Sequence, residues 1–253
     1  MHRLRTWRLA AVALAAPIVF VGCASRDTPS YDWNFGVIPQ YLPALGQGLV
    51  VTIALTILII VVGMSLGVVV AGARLSRFAV LRWLTTGYVE VMRCTPTLVQ
   101  LVWAYYCLPI LFGIQVPAFA AIAFALILNT GAFYGEAFRA GIQSIPRDQV
   151  ETADILGLSY FQRMRYVIVP LTVRIVLPVL ISLSIGLFKE TSLVSTLGVA
   201  DLMYQGKLVA TATYRPLEIL TTVALIYFLV AFPVTLLARR LEIHLSRYRA
   251  VAA

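Results

Sequence analysis

The sequence has little charge. Charged residues make up only 12% of its 253 residues, whereas hydrophobic residues make up 60%. A soluble domain of this length carries about twice that share of charge. The scarcity of charge therefore excludes an ordinary soluble protein. It indicates an all-α membrane protein, because the apolar runs are long and do not alternate strictly.

Residues suited to catalysis or metal binding are also scarce. The two histidines, His2 and His244, lie near the termini, and the three cysteines have no metal-like spacing. No Ser/His/Asp or Cys/His arrangement can be assembled inside the membrane, and no Gly-x-x-x-x-Gly-Lys-Ser/Thr phosphate loop occurs. We therefore expect a protein that is not an enzyme, with no catalytic or metal site and no cofactor of its own.

The net charge of +9 follows membrane topology rather than nucleic-acid binding. Most arginines flank two predicted inner loops or lie in the C-terminal tail, and few lie in the predicted outer segments. By the positive-inside rule, this bias predicts an external N-terminus for the core and a cytoplasmic C-terminus.

The N-terminal region has the pattern of a secretory signal. Three arginines precede an apolar run that ends at Gly22-Cys23. Three interpretations of residues 1–23 stay open: a signal cleaved and lipidated at Cys23, a retained extra span, or an over-extended gene start. Residues 24–47 are polar, aromatic and proline-bearing, which predicts an external segment at the membrane interface.

Five core spans are predicted within residues 48–240. The first is 48–73, where Gly63, Gly67 and Gly72 permit close helix contact. The stretch 94–135 lacks charge and is too long for one span. It predicts an outward helix from near Trp83, a break at 113–117 and a returning helix that ends near Arg139. The last two spans are 171–188 and 219–238, and residues 241–253 form a cytoplasmic tail.

The longest polar interval, residues 136–170, lies between two spans on the predicted cytoplasmic side. Pro146 suits the first position of a helix, and Gly157 can end that helix in the left-handed conformation. Ser159-x-x-Gln162 is a capping box that begins a second helix. The interval is either an ordinary helical loop or a docking surface for a cytoplasmic partner.

Three motifs in this interval resemble the EAA signature of ATP-binding-cassette (ABC) importer permeases. They are Glu151-Thr-Ala153, Gly157 and Val167-x-Val169-Pro170. The chain departs from the pattern only by small or apolar exchanges at 152, 167 and 169. In that family the loop is the coupling helix that fits into a cleft of the ATPase subunit. The resemblance therefore implies a coupling loop at about 140–169, with contacts from Arg147, Glu151, Ala153, Gly157 and Leu158.

Two further stretches are similar to the polar amino acid branch of this family. One is Glu90-x-x-Arg93-Cys-Thr-Pro96 followed by Gln100, where Cys94 replaces the usual glycine. The other is Lys189-Glu190-Thr-Ser192-Leu, followed by Gly198 and Asp201. The resemblance implies the type I importer permease fold and a permease subunit for polar amino acids or related compounds, in a bacterial cytoplasmic membrane. It also implies a second permease, an ATPase pair that holds ATP and Mg, and an external solute-binding protein.

An amino acid substrate carries a carboxylate and an ammonium group, so its path needs donors and acceptors. Ionisable groups within a span usually face a partner or a watery path. Candidate path or gate residues are Glu90, Arg93, Gln100, Asn129, Lys189, Glu190 and Ser192. Glu90 and Arg93 share a helix face, and a structural ion pair between them is the alternative. For the whole chain, the alternative is a secondary transporter or channel without an ATPase.

Overall fold

The computed structural model describes residues 31–113 and 115–251, with side chains through Leu241. The proposed signal or lipidation site at 1–23 and the side chains of the tail lie outside the described residues. The described chain divides at Gly36. On the N-terminal side, Trp33 lies between Tyr31 and Phe35, with ring centroids 5.4 and 5.5 Å away. The helices below belong to the second unit.

Four long apolar helices and one bent pair make up the membrane part of the described chain. In chain order the helices are α1 (Leu42–Arg74), α2 (Ala79–Cys94), α3 (Thr97–Phe112), α4 (Ala118–Gln143), α5 (Arg147–Ile155), α6 (Tyr160–Arg163), α7 (Val169–Glu190), α8 (Leu202–Thr213) and α9 (Pro216–Val251). A π-helical turn, Met164–Ile168, joins α6 to α7, and a 3₁₀ segment, Thr191–Leu197, follows α7. If the pair α2–α3 counts as one span, the described chain has the five predicted spans.

The predicted single outward helix is wrong, because the chain bends by 108° between α2 and α3. Pro96 has no N–H to continue the helix, and it disfavours the helical conformation for the residue before it. Thr95 is accordingly extended, with φ −102° and ψ 140°. The predicted break at 113–117 is confirmed: α3 ends at Phe112 and Gly113 is left-handed, with φ 65°.

Helices α1 and α4 cross closely through glycines on both sides. A Cβ atom added at Gly63 would lie 3.0 Å from Thr130 Cγ2. A Cβ atom added at Gly67 would lie 2.7 Å from Tyr134 Cβ. Gly131 and Gly135 of α4 in turn approach α1 side chains. The prediction of close contact holds for Gly63 and Gly67. It is wrong for Gly72, because a Cβ there meets nothing within 4 Å.

The main apolar core joins α1, α3, α4 and the 3₁₀ segment after α7. Its fully buried members include Leu55, Leu101, Ile122 and Val194. Polar contacts connect α4 to its other neighbours: Tyr88 donates to the Leu128 carbonyl at 2.5 Å, and Tyr134 and Ser184 share a hydrogen bond of 2.6 Å. Helix α4 therefore touches α1, α2, α3 and α7, and it leads directly into the predicted coupling loop.

Helix α8 begins at the buried carboxylate of Asp201 and packs against α1 and α9. The Asp201 side chain accepts a hydrogen bond from the Tyr204 N–H at 2.8 Å and so caps α8. Tyr227 of α9 also donates to it at 3.4 Å, and the Leu202 N–H donates to Thr52 Oγ1 at 3.1 Å. Burial raises the pKa of the Asp201 carboxyl above its ordinary value, despite these donors.

Candidate functional site

The broken helix α2–α3 leaves a backbone carbonyl without its helical partner. In a continuous helix, the Met92 carbonyl would accept from the residue at position 96, which is proline here. Gln100 and Asn129 supply the missing donors, with side-chain nitrogens 2.8 and 3.3 Å from the Met92 oxygen. Irregular backbone at membrane depth requires such internal partners, because lipid offers none.

Gln100 and Asn129 also contact each other. The Asn129 amide donates to Gln100 Oε1 at 3.0 Å, and Gln100 Nε2 lies 2.6 Å from Thr95 Oγ1. Asn129 is buried, at 5% exposure. Sequence analysis assigned both residues to the substrate path. In the structure both amide nitrogens donate to the Met92 carbonyl at the bend, so both residues also hold the bend in place.

A cleft of about 130 Å³ lies between α4 and α7. Its lining residues are Asn129, Thr130, Phe133, Tyr134, Ser182, Leu183, Gly186, Leu187 and Glu190. Glu190 stands on one wall, where it accepts a hydrogen bond from Thr97 at 3.3 Å. The Arg93 guanidinium carbon lies 5.8 Å from the ring centroid of Phe133, another lining residue. The cleft thus has an acidic group on its wall and a basic group next to one of its aromatic rings.

Of the seven predicted path residues, only Asn129 and Glu190 line this cleft. Lys189 is exposed, and its carbonyl accepts from the Ser192 hydroxyl at 2.8 Å. Glu90 is exposed, and the Cys94 thiol lies 3.9 Å from its carboxylate. The alternative of a Glu90–Arg93 ion pair is wrong, since no such pair occurs among the described side chains.

The coupling loop folds as two short helices, as predicted. Gly157 is left-handed, with φ 71°. The Leu158 N–H then donates to the Ala153 carbonyl at 3.2 Å, which ends α5 in a Schellman motif. Ser159 and Gln162 form the predicted capping box of α6. One detail was wrong: Pro146 is the residue before the helix rather than its first residue, because its ψ of 139° is extended.

The coupling loop exposes large apolar side chains on both sides of Gly157. Ile155, Leu156, Tyr160 and Phe161 are 86%, 71%, 69% and 72% exposed. An ion pair between Arg163 and Asp154 fixes α6 against α5. Of the predicted contact residues, Arg147, Glu151 and Gly157 are exposed, Leu158 is partly buried and Ala153 is buried at 1%. Ala153 therefore serves packing within the loop, and the apolar side chains around Gly157 form the outward surface.

Comparison with known proteins gives the family. Residues 59–247 match the model of the binding-protein-dependent transport system inner membrane component. This chain belongs to that family. Its members are transport permeases of ABC importers, and they are multi-pass proteins of the inner membrane.

Curated relatives are amino acid permeases. The arginine transport system permease protein ArtQ of Bacillus subtilis is 33% identical over 205 residues, covering 81% of this chain and 93% of that protein. The glutamate/aspartate import permease protein GltK of Escherichia coli is 33% identical over 221 residues, covering 84% and 97%. A solved structure titled as an amino acid ABC transporter with histidines matches with a TM-score of 0.79 and 34% identity, covering 85% of this permease and 100% of that chain. The type I importer permease fold is thereby confirmed.

Sequence reasoning missed several residues that the structure connects. Glu136 pairs with Arg74 and Arg139, and Thr97 donates to Glu190. The spacing of Glu136 and Arg139, three residues apart near a helix end, was the available signal for one of these pairs. The contact between Thr97 and Glu190 spans 93 positions of sequence and leaves no local signal.

Proposed function

We propose that this permease is the membrane subunit of an ATP-driven importer for polar amino acids, coupled to a separate ATPase through the loop at 140–169. The observation that carries the proposal is the exposed apolar surface of that loop in a chain of this family. Apolar side chains that protrude from a capped, ion-paired loop are typical of a protein interface.

Coupling requires a rigid contact rather than a loose loop. The Schellman motif at Gly157, the capping box at Ser159 and the Arg163–Asp154 pair each restrict the loop. Closure of an ATPase pair, which holds ATP and Mg, would pull two such loops together. The membrane helices then alternate between inward-open and outward-open packings. This movement requires a second permease, identical or related, and an external solute-binding protein that delivers the substrate.

The cleft between α4 and α7 is the proposed substrate path. Glu190 on its wall suits the ammonium group of an amino acid, and Arg93 next to Phe133 suits the carboxylate. Asn129, Thr130 and Ser182 add polar groups to the lining, and the leucines Leu183 and Leu187 add apolar surface. Relatives named for arginine and for glutamate and aspartate support polar amino acids as the substrate class. Lys189, Ser192 and Glu90 stay predictions for the entrance or gate.

The orientation follows from the loop. If the coupling loop faces the ATPase, the N-terminal end of α1 lies outside and α9 ends in the cytoplasm, in agreement with the arginine bias of the sequence. The segment that contains α8 then lies outside, where the binding protein would dock.

A pair of matched variants tests the coupling surface. Phe161 of the loop and Phe78 before α2 are 72% and 61% exposed, so they differ in location more than in burial. Truncation of an aromatic interface anchor commonly costs at least about 2 kcal/mol, or roughly thirtyfold in affinity. We expect Phe161→Ala to lose the co-purifying ATPase and Phe78→Ala to retain it. Equal retention by both variants would show that the loop is not the docking surface.

Gly157 supplies a second comparison, because its left-handed conformation suits glycine or asparagine but not a β-branched residue. Gly157→Asn should keep substrate uptake, and Gly157→Val should abolish it while the protein stays in the membrane. Normal uptake by the valine variant would contradict the proposed geometry. Uptake driven by an ion gradient, with no ATPase bound, would instead support a secondary transporter.

A further inference from the structure

A cluster of charges joins α1 to α4 at the end that leads into the coupling loop. Glu136 of α4 forms ion pairs with Arg74, the last residue of α1, and with Arg139, one turn further along α4. Arg139 donates to both carboxylate oxygens of Glu136, at 2.6 and 3.0 Å. The three side chains are only 10%, 21% and 24% exposed for Arg74, Glu136 and Arg139. Such partly buried, bidentate pairs hold geometry better than single exposed pairs.

The same two helices are already in close contact through their glycines. Along this crossing the added Cβ of Gly67 would lie 2.7 Å from Tyr134 Cβ, and that of Gly135 would lie 2.7 Å from Val70 Cγ1. Close backbone approach resists separation, but small residues alone leave rotation and sliding possible. The ion pairs at the end of the crossing restrict both movements, because Glu136 must stay within reach of two cations.

The connection from this cluster to the coupling loop is short. Helix α4 ends at Gln143, which accepts from Arg139 at 2.5 Å, and α5 begins at Arg147. Between them the Ser144 hydroxyl donates to the Gly141 carbonyl at 2.8 Å, and Ile145 is buried. Because this connection is short and hydrogen-bonded, a displacement of α5 also displaces α4.

We propose that Glu136 is a positioning residue that makes α1 and α4 one rigid unit, so that movement of the coupling loop rotates both helices together. The proposal rests on the proposed function, since it assigns the membrane element that an ATPase would move. Without the Glu136 carboxylate, two arginines face each other and α4 can move without α1. The ATPase then closes on the loop, but the substrate path does not change state.

The first test separates coupling from assembly. The complete transporter, with ATPase and binding protein, is placed in liposomes, and ATP hydrolysis is measured with and without substrate-loaded binding protein. Allosteric coupling is typically a fivefold or larger effect. We expect Glu136→Gln to co-purify with the ATPase and keep basal hydrolysis, while stimulation and uptake fall at least about fivefold. Glu136→Asp keeps the charge and should retain most of both, and Arg82→Gln is the control for loss of one exposed charge.

Stimulation and uptake by Glu136→Gln equal to those of the unmodified transporter would overturn the proposal. So would an equal loss in Glu136→Asp and Glu136→Gln, because the charge would then be irrelevant. If the unmodified transporter itself shows no stimulated hydrolysis, the proposed function fails, and this result is distinct from a failure of the Glu136 variant alone.

A disulfide between α1 and α4 tests the rigid unit directly, even if Glu136→Gln does not assemble. A Cβ at position 131 would lie 3.1 Å from Leu66 Cβ, slightly closer than the usual 3.5 Å or more in disulfides, and removal of the leucine side chain relieves the crowding. The double variant Leu66→Cys/Gly131→Cys is made in a protein without the native cysteines. Its uptake is measured with the disulfide oxidised and again with the disulfide reduced. We expect uptake to survive oxidation. Loss of uptake on oxidation that returns on reduction would show that the two helices must move apart, and would overturn the proposal.

Discussion

The crossing of α1 and α4 leaves no room for a methyl group at Gly67. A Cβ there would lie 2.7 Å from Tyr134 Cβ and 3.0 Å from the Gly135 nitrogen. Neither atom is the end of a flexible side chain, so the helices themselves must separate. Restoring ordinary contact means going from 2.7 Å to 3.4 Å, a shift of about 0.7 Å. Overpacking of this kind costs about 1–3 kcal/mol, and the higher helix propensity of alanine returns at most about 1 kcal/mol.

We therefore expect Gly67→Ala to destabilise the protein by about 1–2 kcal/mol. The fraction of protein that stays monodisperse in detergent is measured after heating to a series of temperatures. The midpoint of this curve, the apparent Tm, should fall by about 2–8 °C. Gly72→Ala is the control on the same helix, because a Cβ there meets nothing within 4 Å. Gly131→Ala should fall between the two, since its Cβ meets only the side chain of Leu66, most closely at Cδ2, and no backbone atom of α1 among its three nearest atoms. Equal Tm values for Gly67→Ala and Gly72→Ala would refute the close crossing.

Three further predictions concern single contacts. Asn129→Leu removes two amide donations at the bend and should cost about 1 kcal/mol, measured as a lower Tm than that of the unmodified protein. Ser159→Ala removes the cap of α6 and should speed amide hydrogen exchange within the coupling loop, with a local loss of about 1 kcal/mol; unchanged exchange there would refute the cap. Burial raises the pKa of the Asp201 carboxyl in the folded protein above its ordinary value of 3.8. Its contribution to the free energy of unfolding is therefore fully present below that ordinary value, and it is lost as the pH rises through the folded pKa. Relative to Asp201→Asn, the unmodified protein should lose stability as pH rises, and parallel Tm profiles would contradict this sign.

Much of the fold follows from features that are local in sequence. The coupling loop was predictable because the signals for it are local. Its capping box and its left-handed glycine lie within a few residues of the hydrogen bonds that end one helix and begin the next. The break at Gly113 and the first span with its glycines at 63 and 67 have the same local character. Even so, Gly72 continues the glycine series of α1 without touching another helix. The spacing of glycines shows which residues share a helix face, but it does not show whether another helix packs on that face.

The 108° bend at Pro96 was missed for a different reason. The stretch 94–135 carries no charge, and prolines also occur within continuous membrane helices when neighbours satisfy the freed carbonyl. Here the neighbours are Gln100 and Asn129, and Asn129 comes from another helix. From the sequence, both side chains were predicted to line the substrate path. Only the fold shows that they also replace the hydrogen bond lost at proline.

Substrate-stimulated ATP hydrolysis tests the central claim most directly. This permease is expressed together with its genomic neighbours, purified, and placed in liposomes with binding protein and candidate polar amino acids. The account predicts that an ATPase co-purifies, that a polar amino acid stimulates hydrolysis and drives uptake, and that Gly157→Val loses both. A permease that purifies without an ATPase and transports on an ion gradient alone would contradict the account.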